Sequence, residues 1–199
     1  MRFESERIYH IYNRGNNRQR IFFNRENYLY FLRKIRDKLK PHCDIMAYCL
    51  MPNHFHLMIK TNEKSVKTIF VGKDERNVLS EAMRQILSSY SFAVNKQERR
   101  TGSLFTQNTN AKELASLEID FETTLTCFNY IHQNPYVALF VDKIEDWEFS
   151  SFRDYAGLRD GTLCNKELTK RILNINQETF YEDSYQVLNQ ENLSNIWLK

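Results

Sequence analysis

Two short stretches of the 199-residue chain carry side chains suited to catalysis. The first is His54-Phe55-His56. Side chains alternate along a strand, so His54, His56, Met58 and Lys60 point one way and Phe55, Leu57 and Ile59 the other. The two imidazoles then share a face with Cα atoms about 6.8 Å apart, close enough for both rings to reach one divalent ion. The same spacing fits two partly exposed histidines on the solvated side of a sheet. The second stretch is Tyr130-Ile131-His132-Gln133-Asn134-Pro135. Upstream of it Phe121, Leu125 and Phe128 recur at spacings of four and three, which predicts a helix with these residues as its core-facing stripe. At about 100° per residue, Tyr130 falls about 180° and Asn134 about 220° from Phe121, away from that stripe. One turn apart, a phenol and an amide oxygen are spaced to address one site. Helix geometry alone favours an ordinary surface tyrosine and a helix-ending asparagine before Pro135. His132 and Gln133 project elsewhere on the same helix, and His10 reads equally as an active-face residue and as an ordinary strand histidine.

The elements that must position these groups follow from periodicity. Residues 7–14 alternate and are rich in β-formers until Gly15-Asn16-Asn17 breaks the run, which predicts a first strand. Asn24 is spaced to cap a helix to Lys40 with Tyr28, Leu32, Ile35 and Leu39 on one stripe, ended by Pro41. Residues 43–51 and 53–60 read as a hairpin about Pro52. Residues 61–74 read as a connecting loop, and 75–97 as a second long helix. Leu104 to Leu114 supplies a fourth strand with a polar middle, and a third helix runs from near Leu117 to Asn134. The order β-α-β-β-α-β plus a helix is the ferredoxin-like α+β arrangement, one antiparallel sheet with helices on one face, followed by a C-terminal helical extension. The division expected is a catalytic domain over 1–142 and an extension over 143–199 packed on it, with Trp147, Phe149, Phe152 and Tyr155 fastening its start.

Composition excludes several classes. Hydrophobic residues make up 42% and aromatic residues 14%, which argues against disorder. No apolar run approaches the roughly 20 residues of a membrane span. Arg2, Glu4, Glu6 and Arg7 stand where a signal peptide would be apolar, so a cytoplasmic protein without a membrane partner is expected. Cys43, Cys49, Cys127 and Cys164 lack metal-ligand spacing and read as buried free thiols. The net charge of +3 hides a division: residues 1–40 hold 11 Lys/Arg against 4 Asp/Glu, while residues 141–199 hold 7 against 11. The basic end, with Arg14, Arg18, Arg20 and Arg25 among Tyr12, Asn13, Asn16 and Asn17, suits a polyanion, or equally a solvated face.

Several segments together carry a resemblance. Tyr9-His10-Ile11-Tyr12-Asn13-Arg14-Gly15-Asn16, then Ala47-Tyr48-Cys49-Leu50-Met51-Pro52-Asn53-His54-Phe55-His56-Leu57, Gly102-Ser103-Leu104-Phe105, Tyr130-Ile131-His132-Gln133-Asn134-Pro135 and Trp147-Glu148-Phe149-Ser150-Ser151-Phe152 stand in this order. They resemble the single-tyrosine HUH transposases, and more closely their REP-associated tyrosine transposase branch, over roughly residues 7–157. The triplet alone is short and common; its combination with the tyrosine and N-terminal segments is specific. The resemblance implies that Tyr130 is the nucleophile, that His54 and His56 bind a divalent metal and that Asn134 is a polar helper ligand. It implies attack on DNA through a 5′-phosphotyrosine, leaving a 3′-hydroxyl that can reverse the step and so transfer a strand without ATP. Mg²⁺ or Mn²⁺ is the expected ion, although imidazole nitrogens alone would hold Zn²⁺ or Ni²⁺ more tightly. Single-stranded or hairpin DNA is the expected partner, with Asn13, Arg14, Asn16, Arg18 and Lys112 as its contacts and Arg99-Arg100 as weaker ones. The chain departs from the family after Phe105, where Thr106-Gln107-Asn108-Thr109-Asn110 replaces a basic and aromatic continuation. A homodimer, and a site formed within one chain or between two, both stay open. The competing classes are a non-catalytic nucleic-acid-binding module of ferredoxin-like fold and a small-substrate metallohydrolase; the first leaves the histidine pair unexplained and the second lacks a visible general base.

Overall fold

The computed structural model describes residues 2–115, 120–186 and 188. The alternating run near the N-terminus forms β1 (Ile8–Arg14), at the middle of a four-stranded antiparallel sheet. It lies between β3 (His54–Thr61) and β6 (Asn110–Ala115), and β2 (Cys43–Met51) pairs with the far side of β3. The order β2-β3-β1-β6 is the ferredoxin-like one.

Asn24 caps α1 (Arg25–Lys34), its side chain accepting from the Asn27 N–H. The helix expected to reach Lys40 instead passes into a π-turn, Ile35–Leu39, and a 3₁₀ turn, Lys40–His42. The wide turn keeps Ile35 and Leu39 both fully buried. The segment expected as a loop over 61–74 contains β4 (Thr68–Val71), which pairs with β5 (Asp74–Asn77). Gly72, with φ +64°, takes the first central position of their two-residue turn, a conformation that costs glycine little. Pairing of residues 74–77 delays α2 (Val78–Gln97) by three residues from its expected start. The fourth strand starts at Asn110 rather than Leu104, because residues 106–109 form a loop. Asp120 caps α3 (Phe121–Val137), accepting from the Thr123 N–H; the expected start at Leu117 lies outside the described residues. The helix runs through Pro135 instead of ending before it. So near the end, the missing N–H forfeits one helical bond, and Ala138 N–H still donates to Asn134 O.

The two faces of the sheet are covered differently. Phe55 lies 5.2 Å from Phe31 of α1 and 6.0 Å from Phe105, and Phe31 lies 4.9 Å from Tyr90 of α2. Thus α1 and α2 share one face, as the ferredoxin-like order requires. The opposite face is covered too, by α3, where the expectation had helices on one face only; the Tyr130 ring stands 5.4 Å from that of His56. The stripe on α3 also differs from its expectation: Phe121 is 42% exposed, whereas Cys127, Phe128 and Ile131 are fully buried. Phe128 packs 5.0 Å from Tyr155 and 6.3 Å from Phe180 of the C-terminal segment, so α3 is enclosed between that segment and the sheet. A helix covered on two sides has no single apolar stripe.

The C-terminal segment contributes a 3₁₀ turn, Ile144–Asp146, and α4 (Phe152–Tyr155), α5 (Lys166–Ile172) and α6 (Phe180–Asp183). Leu50 N–H donates to Phe149 O and Ser151 N–H to Tyr48 O, which closes the outer edge of β2. Trp147 Nε1 donates to Leu50 O. The four cysteines are buried free thiols, as expected. Among the described residues no helix is long and apolar enough to cross a membrane.

Candidate active site

Antiparallel register sets one polar layer on the α3 side of the sheet. In β3, His54 and His56 stand opposite Arg14 and Tyr12 of β1, and His10 stands opposite Lys112 of β6. Directly opposed residues share a face, so His10, Tyr12, Arg14 and Lys112 join the histidine pair on one surface. Above it, Tyr130 and Asn134 occupy successive turns of α3, and Asn134 Nδ2 donates to the Tyr130 hydroxyl at 2.7 Å. The Asn134 amide also reaches both imidazoles: Nδ2 is 3.3 Å from His56 Nε2, and Oδ1 is 3.3 Å from His54 Nε2. All five side chains, His10 included, belong to one chain.

The layer is dry. His10 and His56 are fully buried, and Asn134 nearly so. Burial, opposed by the Asn134 contact and helped by the Arg14 charge, lowers the His54 pKa to about 4. Burial, with His10 and His54 beside it, holds His56 well below the usual imidazole range. Both rings are therefore neutral at pH 7, the form that offers a nitrogen lone pair. The outer nitrogens are engaged: His54 Nδ1 lies 2.7 Å from Asn53 Oδ1, and His56 Nδ1 lies 2.9 Å from His10 Nε2.

Two neutral imidazole nitrogens and one amide oxygen thus gather around a single amide. Two imidazole nitrogens and an amide oxygen are donor types that would suit a divalent ion, and His54 Nε2 and Asn134 Oδ1 lie 3.3 Å apart. When His54 donates its Nδ1 proton to Asn53 Oδ1, its Nε2 and Asn134 Oδ1 face each other as two lone pairs, a repulsion that a cation relieves. Among the described residues no three His, Cys, Asp or Glu side chains gather as a metal cage; here the third donor is an amide.

The expected DNA contacts separate into two groups. Arg14, Asn16 and Arg18 are exposed at the rim, and Lys112 is half-buried beside His10. Asn13 is instead buried: its Nδ2 donates to Thr109 Oγ1 at 2.8 Å, and its Oδ1 accepts from Thr106 Oγ1 and from the Arg14 N–H, both at 2.6 Å. Its side chain ties down the 106–109 loop, so of the expected DNA contacts it is the one turned into the protein. The turn after β1 is fixed by Gly15, where an added Cβ would stand 2.0 Å from Gln19 O. His132 turns away to Ser151 Oγ at 2.8 Å, and Gln133 donates to Ser184 O and Gln186 O. What sequence reasoning left undecided was His10. Alternation in residues 8–14 put it on the same face as Tyr12 and Arg14, and only the register brought it to His56.

An antiparallel ferredoxin-like sheet, bearing a histidine pair beneath a helix-borne tyrosine and asparagine, defines an α+β domain with one polar layer between sheet and helix. The family described as Transposase IS200 like matches residues 4–134, and the chain belongs to it. Among solved structures the chain is similar to a REP-associated tyrosine transposase bound to a REP hairpin. That match has a TM-score of 0.56 and 14% identity, and covers 83% of this chain and 95% of that one. A bacterial tRNA(His) guanylyltransferase-like protein in complex with GTP matches with a TM-score of 0.42 and 7% identity, over 70% of this chain and 69% of that one. No curated protein matches.

Proposed function

We propose that the protein is a metal-dependent DNA nuclease and strand transferase acting on single-stranded or hairpin DNA, with residues 1–142 as its catalytic domain and 143–199 as an extension of it. The observation that carries this reading is the contact of Tyr130, Asn134 and the two histidines within one polar layer of a transposase-family chain. His54, His56 and Asn134 would hold Mg²⁺ or Mn²⁺. Such an ion supplies charge stabilisation at a non-bridging phosphate oxygen and helps to orient the phosphate.

The chain's own residues supply the rest. Asn134 Nδ2 donates to the Tyr130 oxygen, which turns its hydroxyl proton outward and favours the phenolate as that proton leaves to water. The Tyr130 oxygen bonds to phosphorus as the bond from phosphorus to the 3′ oxygen breaks, and the released 3′ oxygen takes up a proton. The product is a 5′-phosphotyrosine and a 3′-hydroxyl, and attack by this or another 3′-hydroxyl reverses the exchange without an external energy source. Arg14, Asn16, Arg18 and Lys112 are the contacts proposed for phosphates around the site.

The test is Tyr130→Phe on a labelled hairpin substrate with Mn²⁺. The expected result is loss of the denaturation-resistant protein–DNA adduct with DNA binding kept. An adduct that survives removes Tyr130 from the reaction. Binding by the wild-type protein without metal-dependent nicking leaves a non-catalytic nucleic-acid-binding module.

A further inference from the structure

His10 is not one of the residues assigned to metal or nucleophile, yet its Nε2 lies 2.9 Å from His56 Nδ1, and both rings are fully buried. The rings lie nearly parallel, 5.1 Å apart at an angle of 24°. A neutral imidazole carries one proton, so of two facing ring nitrogens one donates and the other accepts. The opposite edge of His56 decides which. Its Nε2 faces the Asn134 NH₂ group, which can only donate, so Nε2 carries the lone pair and the proton is on Nδ1. His10 Nε2 must then be the acceptor, and its own proton sits on its Nδ1.

We propose that His10 is a positioning residue: by accepting the Nδ1 proton of His56, it fixes that ring in the tautomer whose Nε2 lone pair is turned toward Asn134 and the ion. Behind His54 stands Asn53, whose Oδ1 lies 2.7 Å from Nδ1 within the same hairpin. The two supports differ in origin. Asn53 is the sequence neighbour of its histidine, whereas His10 comes from β1, so the His56 tautomer depends on correct strand register. An acceptor behind a ligating imidazole also raises its basicity, and such outer partners are worth about 10- to 100-fold in metal affinity. The inference rests on the proposed metal role of His56, but the tautomer itself needs no metal to be read.

Two measurements test it. In metal-free protein labelled with ¹⁵N, long-range ¹H–¹⁵N correlation reports the protonated nitrogen of each of the five histidines; His56 is expected protonated on Nδ1 and His10 on Nδ1. Protonation of His56 on Nε2 overturns the proposal, and this reading requires no variant that could misfold. Second, free Mn²⁺ is followed by electron paramagnetic resonance during titration without DNA. His10→Leu is expected to weaken Mn²⁺ binding about 10- to 100-fold. His10→Gln, whose amide oxygen reaches the place of Nε2, is expected to restore most of that loss. His10→Leu binding Mn²⁺ as tightly as wild type overturns the proposal. A protein that forms no adduct but shows the Nδ1 tautomer and the His10-dependent affinity refutes the proposed reaction and supports this inference. An active protein with His56 protonated on Nε2 does the reverse.

Discussion

On one side of β3, Phe55 packs against Phe31 and Phe105, and Leu57 and Ile59 follow it by alternation, all fully buried. On the other side His54 and His56 meet Asn134, His10 and Tyr130. The same eight-residue strand therefore has a face that stabilises by excluding water and a face filled with polar groups, buried at His56 and opening to solvent at His54. Apolar burial contributes about 25 cal/mol per Å², whereas a buried polar pair does little better than balance its desolvation. The polar layer is thus held in place by the apolar one, and stability and chemistry should respond to substitution in opposite ways on the two faces.

The sharpest contrast comes from replacing both members of the buried imidazole pair at once. His10→Leu/His56→Leu exchanges a polar couple for an apolar one of similar bulk, which is near neutral or stabilising, so the thermal midpoint is expected to stay or rise. Adduct formation is expected to fall about a thousandfold, equivalent to about 4 kcal/mol, because one proposed metal ligand is gone. A large fall in stability would show the polar layer to be a structural element in its own right. Phe55→Ala, one residue away in sequence, is expected to do the opposite: a loss of about 3–4 kcal/mol in urea unfolding, with adduct formation kept by the protein that remains folded. If its adduct yield per folded molecule fell a hundredfold, the two faces would not be separable.

The contrast also shows what sequence can carry. The histidine pair was legible because strand alternation is local, and Tyr130 and Asn134 because helical period is local. The side of the sheet that α3 covers was not, since Phe121, taken for core, is largely exposed and Phe128 packs on the C-terminal segment instead. His10 and Asn13 could not be sorted for the same reason. His10 gains its meaning from a strand 46 residues away and Asn13 from a loop 93 and 96 residues away, contacts that no local pattern encodes. The hairpin of β4 and β5 did leave a local mark, Thr68-Ile69-Phe70-Val71 followed by Gly72-Lys73, but its four-residue strands are too short for alternation to stand out.

A third substitution asks whether the C-terminal cover belongs with the stabilising face or with the polar one. Arg159 holds the Asp154 carboxylate through two bonds and adds bonds to Glu148 O, Ser150 O and the Tyr48 hydroxyl. The Asp154 side chain is almost wholly buried, so Arg159→Met leaves an uncompensated charge beneath the cover and is expected to cost about 3 kcal/mol in urea unfolding. Because Phe128 and His132 of α3 pack on this segment, a loosened cover is expected to slow adduct formation as well, through the placement of Tyr130. Unchanged adduct formation would assign the segment to stability alone.

The smallest effect lies at the rim, where Arg14 ends the polar layer beside His54. It is exposed, and its charge helps to depress the His54 pKa without a hydrogen bond to the ring. A cation so placed attracts phosphate and carries no base preference, so Arg14→Ala is expected to weaken hairpin binding roughly three- to tenfold at moderate salt, for all sequences alike. The slope of log affinity against log salt is expected to fall by about one, and the rate of adduct formation at saturating DNA to stay within about twofold. A loss confined to saturating conditions would instead move Arg14 inward, from the electrostatic rim to the reacting phosphate, and the boundary between the two regions would shift by one residue along β1.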